Sequence, residues 1–142
     1  MTNTMTKLAN WQHRLNQYLY DCSSKHFKYG VYDCGQFVIG SIYVQTGIQI
    51  EFPLDYNNRK EGFSAIKSLC GHATCNSIGS YFAEQLGLVE GTDINFIGRG
   101  DVVLLDNGSF GIVDLNGAIV TPAKMGIAHI NKDRVTKYWK VS

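Results

Sequence analysis

Tyr32-Asp33-Cys34-Gly35-Gln36-Phe37-Val38-Ile39-Gly40-Ser41-Ile42-Tyr43 is the stretch on which the fold turns. Asp33 is a residue type that caps helix N-termini, and the apolar run behind it stops near Gly47. Phe37, Val38, Ile42 and Tyr43 cover much of the helix circumference, which predicts a central, buried helix. Gly40 and Ser41 are small enough to let a sheet approach closely. Cys34 falls in the first turn of this helix. There it faces unpaired backbone N–H groups and the positive end of the helix dipole. Both favour the thiolate, which is the nucleophile of a cysteine hydrolase. Such an enzyme also needs a base.

The neighbouring elements follow from periodicity. Trp11, Leu15, Tyr18 and Leu19 form one apolar stripe and predict a helix from about Leu8 to Cys22. Lys25 to Tyr32 is an aromatic loop broken at Gly30, and Ile48 to Asn58, with Pro53, is a connection. Phe63, Ile66 and Leu69 mark a short helix from about Glu61 to Cys70. Ile78, Phe82 and Leu86 mark the next, ended by Gly87. After Gly91 the texture becomes strand-like: Asp101 to Leu105, Ser109 to Leu115 and Ala118 to Thr121, closed by Pro122. Asp106-Asn107-Gly108 and Asn116-Gly117 are hairpin turn signals, and Tyr138 to Val141 is a candidate last strand. Helices first and an antiparallel meander afterwards predict an α+β fold, a single domain over residues 1–142 with helices packed on one face of a small sheet.

Composition narrows the function classes. Lys and Arg number 13 against 12 Asp and Glu, and no basic stripe stands out, so nucleic-acid binding has no electrostatic support. The charged fraction is 18%, below the roughly 25% of an average soluble domain, which fits a surface covered by a partner. No apolar run approaches the ~20 residues of a membrane span. Met1 to Asn10 lacks the apolar core of a signal peptide, so action outside the producing cell would require assembly into a particle or lysis. Cys22, Cys34, Cys70 and Cys75 are too few for a disulfide scaffold and are expected as reduced thiols.

Three motifs in order carry a family resemblance. Tyr32-Asp33-Cys34 opens the buried helix, Gly100-Asp101-Val102-Val103-Leu104 begins the sheet, and Gly111-Ile112-Val113 follows across a tight turn. Over about Trp11 to Thr121 this order resembles the NlpC-type branch of the papain-like cysteine peptidases, the cell-wall endopeptidase fold. The Trp11–Tyr18 helix and the terminal Tyr138-Trp139-Lys140-Val141 are similar to a compact variant encoded in bacteriophage tail gene clusters. The resemblance implies Cys34 as nucleophile, a histidine two residues before the Gly-Ile pair, and a polar orienting residue about ten positions after the same glycine. Those two positions hold Ser109 and Thr121. Neither side chain acts as a base near neutral pH.

Four histidines are candidate substitutes: His13, His26, His72 and His129. His129, after the third strand, is the leading one, and His26 lies in the loop before Cys34. The alternative is that all four are surface or capping residues, and that Cys34 is a packing relic. Cys70-Gly71-His72-Ala73-Thr74-Cys75, with Cys22 and His26, invites a zinc reading, but the spacing is off-pattern, and no metal or other cofactor is expected. Arg99-Gly100-Asp101 reads as the turn before a strand. Phe27, Tyr29, Tyr32, Tyr43, Phe52 and Tyr56 form a pool of aromatic contact candidates around the Cys34 cleft.

The resemblance and the empty base position together imply a catalytically degenerate structural component of a bacteriophage tail tip or hub. Its expected partners are other tail-tip proteins and peptidoglycan, without nucleic acid or a membrane span. Its expected location is the virion, after synthesis in the bacterial cytoplasm. The alternative is an active cysteine peptidase or amidase that cuts peptidoglycan cross-peptides during phage entry.

Overall fold

Four helices precede six strands along the chain, and the computed structural model describes residues 6–52 and 56–141. Helices α1 (Trp11–Cys22), α2 (Cys34–Thr46), α3 (Arg59–Cys70) and α4 (Cys75–Leu86) come first. Strands β1 (Val89–Gly91), β2 (Val102–Leu105), β3 (Phe110–Val113), β4 (Ile119–Pro122), β5 (Ile127–Ile130) and β6 (Val135–Lys140) follow. They form one antiparallel sheet in the order β1-β6-β2-β3-β4-β5, so the architecture is α+β. Residues 48–52 and 56–58 connect α2 to α3 without helix or strand, as expected, while Pro53 itself lies outside the described residues.

α2 forms where its caps dictate. The Asp33 carboxylate accepts from the Gln36 N–H at 2.8 Å, and Gly47 closes the helix at φ 79°, its N–H reaching the Tyr43 carbonyl at 2.7 Å. The other Asp33 oxygen accepts from the Gly30 N–H at 2.8 Å and the Tyr56 hydroxyl at 2.6 Å. Phe37, Val38, Ser41, Ile42 and Gln45 are buried, as a helix apolar around its circumference requires. The close approach permitted by Gly40 is to α1 rather than to the sheet. A Cβ there would collide with Tyr18, whose hydroxyl bonds the Phe37 carbonyl at 2.8 Å.

The strands alternate between two apolar clusters. Val102, Leu104, Phe110, Ile112, Val120 and Trp139 join the helices in the main core. Val103, Leu105, Val113, Ile119 and Tyr138 form a second cluster with Ile97, Ile130 and Val135. β2 and β3 are therefore buried along their whole length, which explains why neither carries a polar side chain. The Asn116-Gly117 turn takes left-handed φ values of 58° and 73°, the geometry that a two-residue hairpin turn favours.

Two strands carry no readable sequence pattern. β1 is three residues long with a single large apolar residue, and it forms by pairing with β6. In β5 only Ile127 and Ile130 are large and apolar, a spacing of three that hides the alternation of a strand. The last strand also begins earlier than Tyr138, at Val135, and Val141 lies beyond it.

Asp101 fixes that C-terminal end. Its carboxylate, 1% exposed, accepts from the Val141 N–H at 3.0 Å, the Gly98 N–H at 2.7 Å and Lys140 Nζ at 2.6 Å. The Arg-Gly-Asp triplet is thus a turn whose aspartate points inward. Asp101→Ala leaves two backbone amides unpaired and strips Lys140, which keeps the Phe96 carbonyl, of its carboxylate partner; it is expected to cost about 2 kcal/mol. Urea unfolding should show a lower midpoint with an unchanged slope.

Candidate active site

Cys34 is the first residue of α2, and it lines a cleft of about 360 Å³ between α2, α3, α4 and the sheet. Phe52, Phe63, Ile66, Phe82 and Leu86 give the cleft a mostly apolar wall. Of the six aromatic candidates, Phe27, Tyr29, Phe52 and Tyr56 line it. Tyr32 instead enters the core, its hydroxyl bonded to the Gly126 carbonyl at 2.7 Å, and Tyr43 is exposed beneath the Arg14 guanidinium.

The Cys34 sulfur is surrounded by donors. The Cys75 thiol donates to it, and so do the backbone N–H groups of Phe110 and Gly35. The hydrogen bond from Cys75 is the largest influence and holds the Cys34 thiol below its ordinary pKa, against the opposing effect of burial. The same bond, with burial, pushes Cys75 far up. When a proton leaves this pair of thiols, the negative charge is therefore favoured on Cys34.

Ser109 and Thr121 both line the Cys34 cleft. Ser109 immediately precedes Phe110, whose N–H reaches the sulfur. Its hydroxyl and N–H both donate to Asn107 Oδ1, at 2.6 and 3.0 Å, which ties the side chain into the β2–β3 turn. Thr121 donates to the Phe110 carbonyl at 2.8 Å. Asp33 has no free oxygen to orient a base, since Gly30, Gln36 and Tyr56 occupy it.

Among the described residues, no histidine lines the cleft. His129 is exposed on β5, opposite Val120 and two strands from β3, about 10 Å across the sheet. His26 is exposed and pairs through its backbone with Met125, and His13 and His72 are exposed. Cys70, His72 and Cys75 do not converge: the described residues contain no group of three or more His, Cys, Asp or Glu side chains able to hold a metal. No helix is long and apolar enough to cross a membrane.

Cys75 is the site residue that sequence reasoning missed. A signal existed: Thr74-Cys75 repeats the cap-then-cysteine order of Asp33-Cys34, and the Thr74 side chain accepts from the Ser77 N–H at 3.0 Å. What no spacing could reveal is that the two helix starts face each other.

Residues 6–141 match the family described as Domain of unknown function (DUF6950), and the chain belongs to it. No match was found among curated proteins, and none among solved structures.

Cys34 is expected to be alkylated at neutral pH ahead of Cys22, Cys70 and Cys75, whose thiols burial or hydrogen bonding raises. Cys75→Ala removes the largest acidifying donor, so the Cys34 thiolate then requires a higher pH. The midpoint of its pH–rate profile with iodoacetamide should rise by about one unit, the size of one charge-assisted hydrogen bond.

Proposed function

We propose that this member of the DUF6950 family is a papain-like, NlpC-type module that has lost hydrolytic function and serves as a structural component of a bacteriophage tail tip or hub. The observation that carries the reading is Ser109. It stands at the sequence position where the resembled peptidases need a histidine, it lines the Cys34 cleft, and its hydroxyl donates to Asn107. Without a base, nothing takes a proton from an attacking group or returns one to a leaving amine. The cleft wall is a second support. Cross-peptides of the cell wall carry several charges, whereas among the described residues Arg59 is the one cation lining the cleft and both Asp33 oxygens are engaged within the protein. The tail assignment rests on the similarity of the chain ends to the compact tail-cluster variant, and the low charge suits a face covered within an assembly.

The acidified Cys34 thiol favours a second reading, an active cysteine peptidase or amidase acting on peptidoglycan. That reading needs a base recruited from elsewhere, and His129 or His26 would have to move to the cleft to supply it.

Purified protein should release no muropeptides from sacculi, and when produced with its tail gene cluster it should co-purify with tail-tip proteins. Muropeptide release that disappears in Cys34→Ala overturns the non-catalytic reading. Absence from assembled tails overturns the structural one. Ser109→His should accelerate Cys34 alkylation near pH 6 relative to the parent, because an imidazolium beside the sulfur stabilises the thiolate.

A further inference from the structure

Cys34 and Cys75 lie 41 positions apart in sequence, and each is the first residue of its helix, α2 or α4. Both are free thiols, and both line the same cleft. Hydrolysis by a papain-like mechanism gives Cys75 no role. Thiol–disulfide exchange requires just such a pair: one sulfur poised as a thiolate, and a second close behind it that still carries its proton. The two remaining cysteines are placed differently. Cys22 is fully buried in α1 and directed at Tyr18 and Tyr32, and Cys70 ends α3.

We propose that Cys34 and Cys75 form a reactive dithiol that exchanges with small, largely apolar disulfides entering the cleft, and so closes an intrachain Cys34–Cys75 bond. In the first step the Cys34 thiolate attacks one sulfur of a disulfide RSSR. A Cys34–SR bond forms, the S–S bond of RSSR breaks, and RS⁻ leaves. Cys75 then yields its proton, to the departing thiolate or to water, and its sulfur attacks the Cys34 sulfur. The Cys34–SR bond breaks, a second RS⁻ leaves, and the Cys34–Cys75 bond remains. Two electrons and two protons pass from the protein to RSSR, giving two RSH, and a dithiol reductant reverses the sequence. The direction of attack follows from the site. Cys34 receives N–H donors from Phe110 and Gly35, whereas Cys75 is its proton-bearing neighbour. No histidine is required, so the site works with Ser109 as it stands. The apolar wall of Phe52, Phe63 and Phe82 sets the preference for an apolar disulfide over a charged one.

The bridge would replace the hydrogen bond between the starts of α2 and α4 with a covalent link. It would also consume the only two thiols in the cleft and so remove Cys34 as a nucleophile. The inference does not depend on the tail assignment or on the loss of hydrolysis, because it concerns thiol chemistry alone.

The test uses the native full chain and 2,2′-dithiodipyridine near neutral pH. The expected result is a fast phase that releases two equivalents of thiopyridone, with a Cys34–Cys75 cross-linked peptide in the digest. Cys70→Ser should retain both. Cys75→Ser should release one equivalent in that phase and hold the thiopyridyl group on Cys34. Oxidised glutathione, which is charged, should react more slowly than the aromatic disulfide. Independently of any variant, phenylarsine oxide should bind one per chain, joining both sulfurs with loss of water, and protect Cys34 and Cys75 together from alkylation. A mixed disulfide that persists on Cys34 in the native chain overturns the proposal. So does a bridge that uses Cys70, or a bound arsenical that leaves Cys75 open to alkylation.

Discussion

The Asp33 carboxylate holds the start of α2, and the site depends on where that start lies. One oxygen caps the helix through the Gln36 N–H, and the other ties down the Gly30 turn and the Tyr56 hydroxyl. Three donors on a nearly buried carboxylate define one position for the first helical residue, which is Cys34. A shift of one residue would rotate the thiol by about 100° around the helix axis and out of the cleft. The same carboxylate joins the aromatic loop before α2 to the segment after it, so cap, loop and cleft wall form one hydrogen-bonded unit. Both Asp33 oxygens are engaged in holding the fold at this point.

Around that fixed point, two kinds of acidifying influence meet at one sulfur. The first is backbone: the N–H groups of Gly35 and Phe110 belong to the helix start and to β3, so they persist whatever side chains are exchanged. The second is the Cys75 thiol, brought in by the first turn of α4. In a cysteine hydrolase the neighbouring imidazole both acidifies the thiol and moves protons. Here the first of those tasks falls to a thiol, while Ser109 is bound into the β2–β3 turn. A thiol pKa can thus be lowered without a neighbouring imidazole.

The far end of the molecule is organised by a second buried carboxylate. Asp101 gathers the Gly98 turn, Lys140 and the Val141 amide, so the end of β6 is held against the beginning of β2. This pairing puts Trp139 into the main core, where its ring lies over Gly79 of α4, a Cβ at which would come within 2.6 Å of the indole. Its Nε1–H donates to Glu90 of β1 at 3.1 Å. α4 is therefore seated by the sheet through Trp139, and Cys75 at its first turn is positioned from the opposite end of the chain.

Much of this was written in the sequence by itself. The caps at Asp33 and Gly47, the apolar stripes of α1, α3 and α4, the hairpin turns at Asn107-Gly108 and Asn116-Gly117, and Cys34 at a helix start are all local. Each is decided by a few neighbouring residues through capping, periodicity or allowed φ, and a linear reading reaches such features. β1 and β5 were not legible, because a short strand with few apolar residues exists only where a neighbour supplies its hydrogen bonds. The separation of His129 from the cleft was not legible either, since it depends on the order of strands in the sheet. The convergence of Cys34 and Cys75 belongs to the tertiary structure alone. It results from two helices packing against the same sheet, and nothing in the 40 residues between the cysteines encodes that distance locally.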